Sequence, residues 1–212
     1  MTSLLSEPHD RRRRRTRAAV LDAASTLFAR DGYRQTSVDA LAAAADIALT
    51  SLYANFDGGK AHVYAVLACA AAQRHAQRMS QTLQSVAPGG PAARAALTEY
   101  VNFHRDEPLA FRLLGLSDVA DDPTPAVGIA RREIAAILLG VVDEVVDRIA
   151  DGPLPPRDRV EVREQVVVAW AGINGLLALV ERGVIDDDPD GLLRRAVALH
   201  THDLAGVDHA AR

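Results

Sequence analysis

The chain has 212 residues, of which 49% are hydrophobic, 4% are aromatic and 25% are charged, with a formal net charge of −4. This composition excludes a disordered chain, and its abundant alanine, leucine and valine favour helices over sheet. Charges interrupt each apolar run before the roughly 18 residues that a membrane span needs. The single cysteine, Cys69, excludes an internal disulfide. We therefore expect a cytoplasmic protein with no membrane-spanning segment.

The charge is unevenly distributed along the chain. Residues 1–60 hold nine basic and seven acidic residues, a net charge of +2, so the remaining residues carry −6. The basic residues include a run from Arg11 to Arg15, and residues 1–14 are predicted to form a flexible basic arm. A basic end on an acidic body lets one end of the protein approach DNA while the other is repelled from it.

Residues 15–59 predict three short helices that form a helix-turn-helix head. The first runs from about Arg15 to Asp31, and the second is expected to be capped by Thr36, with Asp39 in a capping-box position. Asp46 suits the tight turn that follows, because aspartate tolerates a left-handed backbone conformation. The third helix is predicted from about Leu49 to Asn55. Such a helix pair can enter a DNA groove.

Residues 60–212 predict six longer helices separated by loops that contain glycine and proline. Their approximate bounds are 60–85, 92–106, 108–119, about 25 residues ending at Ala150, Arg157–Arg182 and Pro189–Ala205. No strand pattern of any length occurs. The sequence therefore predicts an all-α fold of about nine helices, with a small N-terminal head and a larger C-terminal body.

The last two predicted helices are too apolar for a monomer's surface. The eighth has one apolar stripe through Trp170 and Ile173 and a second stripe rich in small residues, and a helix with two apolar faces must be buried on both. Two such helices from each of two chains would form a four-helix interface. The residues predicted at this homodimer interface are Val168, Gly172, Gly175, Leu176, Leu179, Leu192, Leu193, Ala196 and Leu199.

The N-terminal motifs resemble those of TetR/AcrR-type one-component transcriptional regulators. The residues that carry this resemblance are Phe28-Ala29-Arg30-Asp31-Gly32-Tyr33, Thr36-Ser37-Val38, Leu41-Ala42, Ile47-Ala48, Ser51-Leu52-Tyr53 and Phe56. The chain departs from the family at Ala48, where a serine is common, so the third helix loses a capping hydroxyl. It also places Lys60 one residue later than the usual lysine.

The resemblance implies that the third helix lies in the major groove of double-stranded DNA. Four of its residues, Leu49, Thr50, Ser51 and Asn55, would face bases or nearby phosphates. The implied phosphate or minor-groove contacts are Arg11, Arg12, Arg13, Arg14, Arg15, Arg17, Thr36, Ser37, Tyr53 and Lys60. A homodimer with two such heads would bind an approximately palindromic operator.

The resemblance further implies a repressor that a small-molecule effector releases from DNA. Its ligand pocket would lie among the fourth to eighth helices, with Phe103, His104, Phe111, Trp170 and Asn174 as candidate ligand contacts. Trp170 and Phe111 are residue types more often found as core residues than as ligand contacts, and His104 could instead be a hydrogen-bonded core histidine. Asn174 could instead hydrogen-bond across the dimer interface.

Two other classes of function remain open from the sequence. A helical protein-interaction module could keep a regulator-like fold and bind no specific DNA. An enzyme would need a nucleophile–base pair or a glycine-rich phosphate loop, and neither stands out, so we predict no enzymatic activity and no cofactor. A metal site is not predicted either, because His200 and His202 lie two apart in a helix and point in different directions.

Overall fold

The computed structural model describes residues 4–5, 8–152 and 158–204. Over these ranges the chain forms nine α-helices, one short 3-10 helix and no strand, which confirms the all-α prediction. The helices are α1 (Arg11–Arg30), α2 (Val38–Ala44), α3 (Leu49–Asn55), α4 (Gly59–Gln84), α5 (Gly90–Asp106), α6 (Ala110–Leu114), α7 (Pro125–Ala150), α8 (Arg159–Glu181) and α9 (Pro189–Leu204). The predicted helix ends at Arg157 and Ala205 lie outside the described residues.

The first helix begins four residues earlier than predicted. Arg11 to Arg14 belong to α1 rather than to a flexible arm, because Asp10 has an extended backbone and its carboxylate accepts a hydrogen bond from the Arg12 amide at 2.8 Å. This is the N-cap geometry that satisfies an otherwise unpaired amide of the first turn. The arginine run is therefore presented along a helix.

The predicted helix over 108–119 was wrong as a single element. It divides into α6 and a 3-10 helix at Ser117–Val119. Leu116 lies between them in the left-handed region, with φ of 50°. A non-glycine residue in this conformation ends the regular α-helical path.

The chain divides into two compact units. The first contains the described residues of Met1–Arg74 and Asp106–Ile137, and the second contains those of His75–Arg105 and Leu138–Arg212. Two long helices, α4 and α7, each contribute residues to both units.

The core of the first unit is aromatic where the head meets the start of α4. The side chains of Phe28, Leu52, Phe56 and Tyr64 are fully buried. The Phe28 and Tyr64 rings lie 5.8 Å apart in a tilted arrangement, and the Tyr64 hydroxyl donates a hydrogen bond to Asp118 at 3.1 Å. Tilted aromatic pairs add to the stabilisation that burial provides, so the head is braced by the beginning of α4.

The core of the second unit is mostly aliphatic. It joins α4, α5, α7 and α8 through Met79, Leu83, Leu97, Val142, Val146, Ile149, Val162 and Ile173. Arg148 donates hydrogen bonds to the carbonyls of Leu83 and Val86, which closes the end of α4 against α7. The apolar faces of four helices therefore share one core.

Helix α8 packs against α9 but keeps much of its apolar surface exposed. Its most apolar 18-residue window has a mean hydropathy of 1.2, and only 17% of that window is buried. In the described part of the chain it is the one helix that is long and apolar enough to cross a membrane by length and composition alone. The expectation that charges interrupt each apolar run holds for α8 as well, because its uncharged run, Gln165–Val180, has 16 residues and is bounded by Glu164 and Glu181.

Candidate functional site

Helices α2 and α3 form a tight helix-turn-helix in the head. Ser37 caps α2, because its Oγ accepts a hydrogen bond from the Ala40 amide at 3.0 Å. Asp46 adopts the left-handed conformation with φ of 52°, as predicted, and the Ile47 amide donates to the Ala42 carbonyl at 3.0 Å. The predicted cap was off by one residue, since Thr36 is not the N-cap.

Three of the residues predicted to contact DNA lie on the exposed side of α3. Leu49 is 38% exposed and Tyr53 is 45% exposed, while Thr50 is also exposed. On the inner side Leu52 is fully buried. Helix α3 is therefore anchored by one face and displays the other.

Two further residues predicted to face DNA are less accessible. Ser51 is half-buried, and the Asn55 side-chain amide donates a hydrogen bond to the Ser51 carbonyl at 2.8 Å. Asn55 is half-buried as well. The amide group that could read a base is thus turned back onto its own helix.

The arginine run lies beside the end of α3. Arg11 to Arg15 are all exposed, and the Arg13 guanidinium donates to the Ala54 carbonyl at 3.2 Å. Because Ala54 belongs to the last turn of α3, this bond places positive charge where the helix dipole is negative. The Arg14 guanidinium donates to the Pro8 and His9 carbonyls, so within the run Arg13 and Arg14 bond to backbone carbonyls of their own chain while staying exposed.

Arg17 bonds to the last residue of α3 from the inner side of the head. Its guanidinium donates to the Asn55 carbonyl at 2.8 Å and lies 4.6 Å from the centre of the Phe56 ring. Burial, with a smaller contribution from the positive charge of Arg13, lowers the pKa of Arg17. The predicted DNA contact is therefore also a positioning residue for α3.

Two of the predicted phosphate contacts use their polar atoms inside the head. Thr36 is buried, and its hydroxyl donates to the Gly32 carbonyl at 2.8 Å. The Lys60 ammonium donates to the carbonyls of Tyr33 and Thr36 at 2.8 and 2.7 Å, and burial lowers its pKa. In this conformation these groups join α4 to the loop between α1 and α2. Ser37, by contrast, is exposed.

A cavity opens between the helices of the second unit. Its volume is about 60 Å³, and it is open to solvent on one side. The residues that line it are His75, Met79, Ala96, Leu97, Tyr100, Leu138, Val141, Val142, Val145, Val166 and Trp170. The wall is therefore almost entirely aliphatic and aromatic, which is typical of small-molecule sites.

A hydrogen-bonded chain crosses one wall of the cavity. The Trp170 indole donates to the Tyr100 hydroxyl at 3.1 Å, and that hydroxyl donates to Asn174 Oδ1 at 2.7 Å. Burial raises the pKa of Tyr100 to about 12, and the bond from Trp170 opposes this effect. The three side chains fix one another, and Tyr100 stays protonated at neutral pH.

The structure brings together only part of the predicted ligand set. Trp170 lines the cavity, and Asn174 lies behind Tyr100. Phe103 and His104 are buried in a cluster of rings, with centroid distances of 5.5 Å between them and 4.7 Å from His104 to Tyr100. Phe111 belongs to the first unit and does not line this cavity.

The sequence prediction missed His75 and Tyr100. His75 is buried, and its ring lies 4.8 Å from Phe103 and 5.4 Å from Tyr100. The signal was present: positions 71, 75 and 79 continue the inner stripe of α4 at helical spacing, and 75 is its one polar member. Tyr100 precedes His104 by four residues on the inner side of α5 in the same way.

The predicted dimer residues lie mostly on the outside of α8 and α9. Val168 and Leu199 are 64% and 62% exposed, and Leu179 and Gly175 are exposed as well. Leu193 is instead buried within its own chain, and a Cβ on Gly172 would meet the His200 ring at 2.8 Å. Gly172 therefore serves the packing of α8 on α9. Leu176, Leu192 and Ala196 are half-buried.

The chain belongs to the TetR family of bacterial regulatory proteins. Residues 20–66 match the family described as "Bacterial regulatory proteins, tetR family". Residues 93–200 match the one described as "Tetracyclin repressor-like, C-terminal domain". These two matches cover the head and most of the body, and they define the protein as a transcriptional regulator with a DNA-binding helix-turn-helix domain. No functionally curated protein matches the sequence.

Solved structures share this fold at low sequence identity. The fatty acid degradation regulator FadR from Bacillus halodurans has a TM-score of 0.66 and 16% identity, covering 90% of this chain and 99% of its own. A TetR-family transcriptional regulator from Streptomyces coelicolor has a TM-score of 0.65 and 19% identity, covering 90% and 96%. FadR from Bacillus subtilis, in complex with stearoyl-CoA, has a TM-score of 0.64 and 16% identity, covering 87% and 97%.

Proposed function

We propose that this protein is a transcriptional repressor that binds a palindromic operator as a homodimer and is released by a small-molecule effector. We assign DNA binding to residues 15–59 and the arginine run before them, and effector binding and dimerisation to residues 60–212. The protein would act in the cytoplasm, at the nucleoid when bound to DNA. The observation that carries the proposal is the braced α3 helix with Leu49, Thr50 and Tyr53 on its exposed side.

The head supplies both kinds of contact that operator binding requires. Leu49 and Thr50 at the start of α3 can reach base edges in the major groove. Tyr53, Ser37 and the guanidinium groups of the arginine run can bind phosphates, which fix the register on the duplex. Arg17, Lys60 and Thr36 support this surface from inside by their bonds to the carbonyls of Asn55, Tyr33 and Gly32.

The exposed apolar side of α8 and α9 supports the homodimer. Val168, Leu179 and Leu199 would be covered by the same residues of a second copy, as a twofold interface requires. The cavity in the second unit supports the proposal that the protein binds an effector. FadR from Bacillus subtilis has a similar fold and was solved with stearoyl-CoA, so this fold can hold a small molecule.

A binding assay with DNA from upstream of the protein's own coding region tests the proposal. We expect specific binding with a Kd on the order of 10 nM at physiological salt, falling steeply as salt rises. Tyr53→Phe should weaken binding about tenfold for specific and unrelated DNA alike, because a hydrogen bond to a charged phosphate is lost.

Tyr33→Phe is the matched control for this experiment, since Tyr33 is half-buried beside Lys60 rather than on the outer side of α3. It should leave DNA affinity unchanged. Equal binding of the wild-type protein to every duplex, or to none, would contradict the proposal. That result would favour the protein-interaction module.

A further inference from the structure

Within the described ranges, no residue that lines the cavity of the second unit carries a formal charge that could pair with a charged ligand. Among its lining residues in the described chain there is no Asp, Glu, Lys or Arg. A charged group that entered it would lose its hydration and gain no ion pair from the wall. The lining therefore selects against ligands that carry a charge into the cavity.

The polar lining groups are largely engaged with one another. The Tyr100 hydroxyl gives its one proton to Asn174 and accepts the indole proton of Trp170, at 2.7 and 3.1 Å. The His75 ring is packed against Tyr100 and Phe103, with centroid distances of 5.4 and 4.8 Å. A ligand with many polar groups would have to displace these hydrogen bonds and ring contacts in order to form its own.

The neighbourhood also disfavours a positive charge. The pKa of His104 falls to about 4, chiefly because burial destabilises the imidazolium and also because His75 is close. The two rings lie 6.4 Å apart. His104 is therefore a neutral imidazole at pH 7, and it adds no cation that could attract a carboxylate.

We propose that the effector is an uncharged, predominantly apolar molecule, such as a medium-chain alcohol or ester, held between α4, α5, α7 and α8. This inference rests on one part of the proposed function, namely that the effector binds in this cavity. The opposing candidate is a molecule of the same length whose carboxylate or ammonium group enters the cavity.

Trp170 provides a direct measurement, because it is the one tryptophan of the sequence and it lines the cavity. The full-length protein is titrated at pH 7 with 1-octanol, octanoate and octylammonium while tryptophan emission is recorded. 1-Hexanol and 1-decanol extend the series in length. We expect saturable changes with the alcohols and half-saturation at concentrations at least tenfold lower than for either ion. Equal or tighter binding of octanoate or octylammonium overturns the proposal, and so does the absence of saturable binding by every alcohol.

Two variants test whether binding occurs in this cavity. Ala96→Leu fills its interior and Leu138→Phe narrows it at a half-buried position, so each should weaken octanol binding at least tenfold. Ala136→Leu adds the same side chain at an exposed position of α7 and should bind like the wild type. Circular dichroism identifies the variants that fold, and a folded Ala96→Leu or Leu138→Phe protein with unchanged affinity overturns the proposal. No DNA is present, so failure here is distinct from failure of operator binding.

Discussion

Several positively charged residues of the head donate hydrogen bonds to backbone carbonyls. Arg17 donates to Asn55, and Lys60 donates to Tyr33 and Thr36. Each bond pairs a cation with a carbonyl at or near the end of a helix or in the loop that follows it, where carbonyls lack intrahelical partners. These cations therefore determine how the helices of the head are held, while Arg11 to Arg15 and Tyr53 remain on the surface.

Burial of His104 makes stability depend on pH. Its pKa is lowered from 6.5 to about 4 in the folded chain. Between these values the unfolded chain binds a proton that the folded chain does not, so the free energy of unfolding falls as the pH decreases from 6.5 to 4. The contribution of His104 is complete above pH 6.5 and is on the order of 3 kcal/mol.

Urea unfolding of wild type and His104→Leu at pH 7, 6 and 5 measures this contribution. The variant should lose less stability on acidification than the wild type. Phe103→Leu changes the neighbouring ring without removing a titratable group, so it should lower stability at every pH and keep the wild-type slope. A His104→Leu protein with the wild-type slope would show that His104 is not the group responsible.

At the scale of elements, α3 begins without a side-chain cap. Its N-cap is Ala48, which has the extended backbone of a capping residue but no hydroxyl. Ala48→Ser should therefore raise the free energy of unfolding by about 0.5–1 kcal/mol, because the serine oxygen can accept a hydrogen bond from a first-turn amide. Chemical denaturation measures the change.

Ala44→Ser is the comparison for this substitution. Ala44 is the last residue of α2 and is exposed, so a serine there gains no N-cap and should not raise stability. Equal effects of the two substitutions would mean that the serine introduced by Ala48→Ser does not cap α3.

The elements differ in how far the sequence predicts them. The long helices follow from apolar periodicity, because their inner stripes continue over several turns. The seven-residue α3 is too short for such a stripe and is indicated instead by the turn at Asp46 that precedes it. The cap of α2 depends on tertiary packing: Thr36 and Ser37 both carry hydroxyls, and burial of Thr36 leaves Ser37 as the cap. The first residue of α1 is still harder to predict from the sequence. Its first turn has no acidic residue and several arginines, which oppose the helix dipole, and the contacts of Asp10 and Arg13 outweigh this.

The residues that line the cavity follow only in part from the sequence. Trp170 stands out as the single tryptophan, on an inner stripe of α8, whereas His75 is the one polar residue on the otherwise apolar inner side of an alanine-rich helix and is easily taken for a surface residue. Phe111 lies in the first unit and outside this cavity, and residue numbers alone do not show to which unit a short helix belongs.

For the whole molecule, the exposed side of α8 predicts the oligomeric state. If the proposed dimer forms through α8, Val168→Glu should make the protein monomeric at micromolar concentration, since each copy would place an unpaired carboxylate in an apolar interface. Light scattering coupled to gel filtration measures the mass. Loss of the dimer should also weaken binding to a palindrome, because the two heads would no longer be linked.

Val184→Glu is a control of equal accessibility, because Val168 and Val184 are both 64% exposed but Val184 follows the end of α8. It should remain dimeric. A dimeric Val168→Glu protein would mean that the interface lies elsewhere. Dissociation of both variants would mean that the interface extends beyond the proposed side of α8.

The proposed dimer would make the thermal stability depend on protein concentration. A second copy that covers the exposed apolar side of α8 would bind only the folded chain, so mass action would raise the melting temperature as the protein becomes more concentrated. A newly synthesised chain without a companion would be the least stable form of the molecule. The number of copies in a cell would then influence how long each copy survives.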